Sequence, residues 1–313
     1  MKEKEKLLVI LGPTGVGKTS VSIEVAKNLK GEIISCDSMQ IYKYMNIGTA
    51  KIMPEEMDNI PHHLIDIVYP DEEFTVHDFK VKTEECIYNI NNNGHIPILV
   101  GGTGLYLNSI VYELKFTNVE PNFELREKYN FIADKYGNEK LYKELLKIDP
   151  ISAKNININD RKRVIRALEI FQTTGKPMSS HNKDFRKESN KYNLLMIGLT
   201  MDRPVLYSRI NTRVDKMFEM GLIEEVEDLL NMGYTKDLIS MKAIGYKEIF
   251  PYLEGRASLE ETSELLKRNT RRYAKRQLTW FRRDKRIKWI DVGLFNSTKS
   301  IGKYISNYAE KIY

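Results

Sequence analysis

Two periods alternate along this chain. Residues 7–11 are a continuous apolar run, and residues 31–42, 96–100 and 192–200 are further short β-prone runs. Such runs, bounded by glycine and polar clusters, predict buried strands. Helical patterns follow them at residues 20–30, 75–90 and from 105 onward, and Asp202-Arg203-Pro204 opens another helix with Asp202 near its cap. Thr75 with Asp78, and Ser258 with Glu261, have the spacing of a capping box. The second of these starts a long helix running to about residue 280. A short strand and an amphipathic helix are expected beyond Lys288.

Between residues 116 and 191 the alternation stops. Residues 123–147 read as one helical stretch with Leu125, Tyr129, Ile132, Tyr136, Leu141, Leu145 and Leu146 as its apolar face. Residues 160–173 read as a second, basic on its polar side and stopped by Gly175-Lys176-Pro177. The pattern predicts an α/β chain with a parallel sheet core flanked by helices, formed by residues 1–115 and 192–313. Residues 116–191 are expected to form an inserted, mostly helical domain.

The first strand runs directly into Gly12, Pro13, Thr14, Gly15, Val16, Gly17, Lys18 and Thr19, which fit the spacing G-x-x-x-x-G-K-[ST] of a phosphate-binding loop. The glycines let successive N–H groups turn inward toward phosphate oxygens, and the helix N-terminus adds its positive dipole end. Lys18 supplies a mobile charge, and the Thr19 hydroxyl can hold a phosphate oxygen or Mg²⁺. The alternative, a glycine-rich turn that binds nothing, is disfavoured by the strand before it and the helix after it. The core is therefore expected to be of the P-loop NTPase-like type.

Charge narrows the class of partner. The 313 residues carry a net charge of +6, but residues 267–288 hold eleven Lys or Arg against one acid, Asp284. Arg268, Arg271, Arg272, Lys275 and Arg276 recur at helical spacing, a density that points to a polyanion, with a merely solvated basic face as the bland alternative. Two cysteines cannot build a disulfide framework, and no apolar run approaches a membrane span. The expectation is a cytoplasmic protein without a membrane partner.

Asp37 stands at the end of the second predicted strand, where open parallel sheets bind ligands, and is read either as an active-site carboxylate or as a cap. The strand at 96–100 ends in Gly101-Gly102-Thr103-Gly104, where a P-loop hydrolase would usually place an acid. That favours a kinase or another group transferase over a hydrolytic motor. His62 and His63 are adjacent and lack companions in a metal-ligand pattern, so a hydrogen-bonding pair is expected rather than zinc. Arg209 and Arg213, one helical turn apart, are either a diphosphate clamp or solvated charges.

Taken in order, the P-loop, residues 37–42, 47–51, 61–66, 100–106, 159–169, 175–176, 243–247 and 274–280 resemble the bacterial tRNA dimethylallyltransferases, or tRNA isopentenyltransferases, over nearly the whole length. The resemblance implies transfer of a dimethylallyl group from dimethylallyl diphosphate to the exocyclic N6 of the adenosine 3′-adjacent to the anticodon of tRNA, with Mg²⁺. The P-loop residues and Arg213 would then hold the diphosphate, Thr19 the metal, and Asp37 would be the general base. Thr103 would position the adenosine or the donor, and the adenosine would be flipped out of the anticodon stem-loop into the pocket. The resemblance puts Ser38, Met39, Gln40, Arg126, Lys162, Arg163, Val164, Ile165, Arg166, Lys242, Ala243, Ile244, Gly245, Tyr246 and Lys247 on the RNA side, and implies a monomer. Two alternatives are an adenylate isopentenyltransferase acting on free nucleotide and a P-loop kinase of a small metabolite. The helical insertion and the basic C-terminal region speak against both.

Overall fold

The computed structural model describes residues 4–114, 119–181 and 187–313. Along the chain run β1 (Glu5–Leu11), α1 (Lys18–Leu29), β2 (Gly31–Cys36), β3 (His62–His63), α2 (Val76–Asn92), β4 (Ile96–Gly101) and α3 (Gly104–Val111). Five helices follow: α4 (Phe123–Tyr136), α5 (Asn138–Ile148), α6 (Pro150–Asn155), α7 (Arg161–Thr174) and α8 (Met178–His181). The remainder is β5 (Tyr192–Thr200), α9 (Arg203–Glu219), α10 (Leu222–Asn231), α11 (Phe250–Leu253), α12 (Leu259–Phe281), β6 (Lys288–Asp291) and α13 (Thr298–Ala309). Among the described residues no helix is long and apolar enough to cross a membrane.

The chain divides into two compact units, Met1–Val111 with Ser189–Tyr313, and Tyr112–Glu188. The first contains one six-stranded sheet of order β3-β2-β4-β1-β5-β6, every neighbouring pair parallel. β1 lies between β4 and β5, and Leu7 to Leu11 are all at most 1% exposed. A strand covered on both faces must be apolar at every position, which is why it reads as a run rather than an alternation. Leu8 and Ile10 pack with Val21 and Val25 of α1, Ile98, Ile197 and Ile305 in the main core.

Register positions the site. Leu11 of β1 is opposite Gly101 of β4, and Gly101 is opposite Cys36 of β2. Three strands therefore end level, and the residues that follow them, Gly12, Gly102 and Asp37, leave the sheet side by side. Gly101 is required there, since a Cβ at that position would stand 2.1 Å from the Cys36 carbonyl oxygen.

The second unit has its own core of Tyr129, Ala133, Leu141, Leu145, Ala153, Val164 and Leu168. The single helix expected over residues 123–147 is two helices, α4 and α5, broken at Gly137 with φ 82°. Of its expected apolar face, Tyr136, the last residue of α4, and Leu146 of α5 are exposed. The capping boxes at Thr75/Asp78 and Ser258/Glu261 form as read, and Asp160 caps α7 through the Arg163 N–H. The expected start of the insertion at residue 116 lies outside the described residues.

Candidate active site

The phosphate loop takes its shape from glycines in conformations that side chains resist: φ is 151° at Gly12, 82° at Gly15 and 100° at Gly17. Gly17 leads into α1, and no side chain caps that N-terminus. Its N–H groups and dipole are directed to the adjoining cavity. Lys18 folds back so that Nζ donates to the carbonyls of Gly12 at 3.0 Å and Pro13 at 2.9 Å. Burial, with Arg213 as a neighbouring cation, pulls the Lys18 pKa down to about 8 against the opposing pull of Asp37.

Thr14 is held at both ends. Its N–H donates to Gln277 Oε1 at 2.9 Å, and its hydroxyl accepts from Arg213 Nη1 at 3.3 Å. The loop opens on a cavity of about 630 Å³ whose wall includes Lys18, Thr19, Asp37, Arg209, Arg213 and Tyr273. Arg209 and Arg213 both line this cavity, Arg209 exposed and Arg213 half-buried. Burial lowers the Arg213 pKa while Asp37 and Glu56 oppose the shift. Ile33, Ala50, Ile52, Ile65 and Val100 give the same cavity an apolar side.

Asp37 follows the last residue of β2, is half-buried, and accepts the Met39 N–H on Oδ1 at 2.9 Å, leaving Oδ2 without a role in that turn. Thr103 follows β4. Its N–H donates to the Cys36 carbonyl at 3.3 Å and its Oγ1 accepts from the Ser38 N–H at 3.1 Å, tying the two strand ends together. Tyr273 lines the same cavity, and burial beside Asp37 pushes its phenol pKa up. Tyr273 and Gln277 were not singled out as site residues from the sequence. The available signal was a glutamine standing in the buried stripe of α12 with Leu266, Ala274 and Phe281.

The segment after Asp37 is fixed from below. Gln40 accepts from Ser35 Oγ and donates to the carbonyls of Thr49 and Ala50. Glu225 accepts the N–H groups of Asn46, Ile47 and Gly48 at 2.7 to 3.0 Å, and Lys51, 6% exposed, donates to Tyr42 O, Asn46 Oδ1 and Asp66 Oδ1. His62 Nδ1 lies 2.7 Å from the Ile60 carbonyl. His63 Nε2 and His95 Nδ1 flank the Glu32 carboxylate at 2.7 and 2.6 Å and help hold its pKa below the usual range. The histidines are hydrogen-bonding groups. Among the described residues no group of three His, Cys, Asp or Glu is placed to hold a metal.

The residues named for RNA contact divide by exposure. Lys162, Arg163, Lys242 and Lys247 are exposed, and so are Arg268, Arg272, Lys275 and Arg276 on α12. Val164, Ile165, Ala243 and Tyr246 are buried, so their side chains serve by packing and do not reach a surface, and Gly245 is buried with them. Ile244 is half-buried and packs against the Tyr246 cluster. Arg126 and Arg166 both bond the fully buried Glu169, at 2.8 and 3.0 Å and at 2.5 Å, and keep its pKa depressed. Arg271 donates to Asn211 Oδ1 on α9 and Arg286 to Asp284, which removes both from the free basic surface.

The IPP transferase family model matches residues 40–284 of this chain, and the isopentenyl transferase model matches residues 5–70. The chain is 52% identical over 304 residues to the tRNA dimethylallyltransferase of Acetivibrio thermocellus, covering 97% of each. It is 52% identical over 302 residues to that of Carboxydothermus hydrogenoformans, covering 96% of this chain and 97% of the relative. Among solved structures, the tRNA isopentenylpyrophosphate transferase of Bacillus halodurans aligns with a TM-score of 0.73 and 47% identity over 99% of this chain and 98% of that one. A eukaryotic dimethylallyltransferase acting on tRNA aligns at 0.79 and 31% identity, over 98% of this chain and 77% of that one.

Proposed function

This chain belongs to the IPP transferase family, and from that premise we propose that it transfers a dimethylallyl group from dimethylallyl diphosphate to the N6 of the adenosine 3′-adjacent to the anticodon in tRNA. The observation that carries this reading is one cavity in which a phosphate loop with two arginines faces the carboxylate at the end of β2, two strands along the sheet from β1. The apolar wall of Ile33, Ile52 and Ile65 suits a five-carbon tail beside the diphosphate. The same reading makes the protein a monomer working on tRNA in the cytoplasm.

In the reaction the allylic C–O bond breaks, its electron pair leaves with diphosphate, and the adenine nitrogen forms the new C–N bond. Loop N–H groups, Lys18, Arg209 and Arg213 stabilise the charge growing on the leaving oxygens. Asp37 takes the amino proton through the carboxylate oxygen not engaged by Met39. Thr103, anchored to Ser38 and to the Cys36 carbonyl, holds the acceptor side in line. The protein donor suited to a metal here is the Thr19 hydroxyl at the start of α1, so Mg²⁺ would be held jointly with diphosphate oxygens and water rather than in an all-protein cage. When bound, that ion neutralises diphosphate charge. The exposed cations of α12 grip phosphates of the RNA, and flipping the adenosine costs a few kcal/mol that such contacts offset.

The test is incubation with Mg²⁺, dimethylallyl diphosphate and either unmodified tRNA or AMP, followed by mass analysis of the nucleosides. Prenylated adenosine in tRNA alone is expected. Prenylated AMP alone would replace this reading with a free-nucleotide enzyme.

A further inference from the structure

α12 does more than present charge. Its Gln277 is 6% exposed and makes two hydrogen bonds in opposite senses: Oε1 accepts the Thr14 N–H at 2.9 Å, and Nε2 donates to the Gly102 carbonyl at 3.0 Å. Thr14 belongs to the diphosphate loop, whereas Gly102 immediately precedes Thr103 on the acceptor side. The amide is seated closely enough that a Cβ at residue 102 would stand 2.1 Å from Nε2. One turn earlier on the same helix face, Tyr273 lines the same cavity as Gln277. Between them Ala274, 0% exposed, fixes the helix in the main core.

We propose that Gln277 is a positioning residue that sets the spacing between the diphosphate loop and the Thr103 loop, and so the distance between leaving group and nucleophile. It touches neither reacting atom. Among side chains of this length only a primary amide accepts from one backbone group and donates to another. Glutamate could accept the Thr14 N–H but not donate to Gly102, and methionine could do neither. A displacement of about 1 Å between reacting groups is enough to cost about 10²-fold in rate. The Thr14 N–H is also spoken for, so the phosphate-facing amides of the loop begin after it.

This inference rests on the prenyl-transfer reading and is tested with Gln277→Met and Gln277→Glu in the full-length protein, below the melting temperature of each variant. The readouts are single-turnover transfer to tRNA at saturating donor, tRNA KM, and calorimetric binding of inorganic diphosphate with Mg²⁺. Gln277→Met should lower the single-turnover rate at least about ten-fold with tRNA KM unchanged. Gln277→Glu should in addition weaken diphosphate binding more than Gln277→Met does, because it sets an anion beside the loop. A Gln277→Met rate within two-fold of the parent, or equal diphosphate affinity in the two variants, would overturn the proposal. If Gln277→Met does not fold, Gln277→Glu decides alone: a parental rate and parental diphosphate affinity refute positioning. Failure of the parent protein to prenylate tRNA would instead strike the functional reading, and the diphosphate titrations would still report on Gln277.

Discussion

The phenol of Tyr246 donates a 2.6 Å hydrogen bond to the carboxylate of Glu225, and that same carboxylate receives the N–H groups of Asn46, Ile47 and Gly48. Two segments about 200 residues apart in sequence are thereby joined through one buried ring and one acid. Tyr246→Phe keeps the packing and removes one of four donors to Glu225, so it should cost about 1 kcal/mol. Gly48→Ala should be worse, since its Cβ would stand 2.4 Å from the Tyr246 ring. Chemical denaturation of the two variants checks the order; equal stabilities would show that the ring can move aside.

Asp37→Asn retains an acceptor for the Met39 N–H but cannot take a proton. Prenyl transfer should fall about 10²- to 10⁴-fold while tRNA affinity stays within two-fold. Full turnover in this variant would remove Asp37 from the chemical step.

Lys18 gives the donor site a pH dependence whose sign follows from its lowered pKa of about 8. In the free enzyme the ammonium is lost as pH rises through that value. A bound diphosphate favours the ammonium, so binding above pH 8 requires proton uptake and weakens as pH climbs. Donor affinity should be flat from pH 6.5 to 7.5 and decline between pH 8 and 9.5. Calorimetry in buffers of different ionisation heat should show protons taken up at pH 8.5. Affinity that holds constant to pH 9.5 would contradict the assignment.

Neutralising Arg268, Arg272, Lys275 and Arg276, the exposed cations of α12, should weaken tRNA binding and flatten its dependence on salt. Four lost phosphate contacts reduce the slope of log K against log salt by about 3. Arg271 is a useful contrast because it bonds Asn211, and its substitution should change the slope little. An unchanged slope in the quadruple variant would place the RNA elsewhere.

Some of this protein is written in local chemistry, because the physics involved spans only a few residues. The strand, glycine loop and helix of residues 5–29 follow from a doubly buried run and from conformations only glycine tolerates. The caps at Thr75, Asp160 and Ser258 are decisions between residues three apart. The α/β class of the core and the family resemblance were legible for the same reason. The break at Gly137 was not, since helical periodicity continued through a residue whose φ of 82° ends α4 and opens α5.

What the sequence determined by itself is which residues can do chemistry: a loop for phosphate, a carboxylate at a strand end, and a basic helix. Tertiary structure decided which of them meet. Leu11, Gly101 and Cys36 end level only because β4 inserts between β1 and β2, pairings of residues 65 and 90 positions apart. Burial then sorted the candidates, leaving Lys162 and Lys242 at the surface while Tyr246 and Val164 went to cores and Arg126 and Arg166 to Glu169. Gln277 acquired its place in the same way. An amide has two bonding ends whatever its neighbours are, and only the packing of α12 against α9 and α3 brought Thr14 and Gly102 to them.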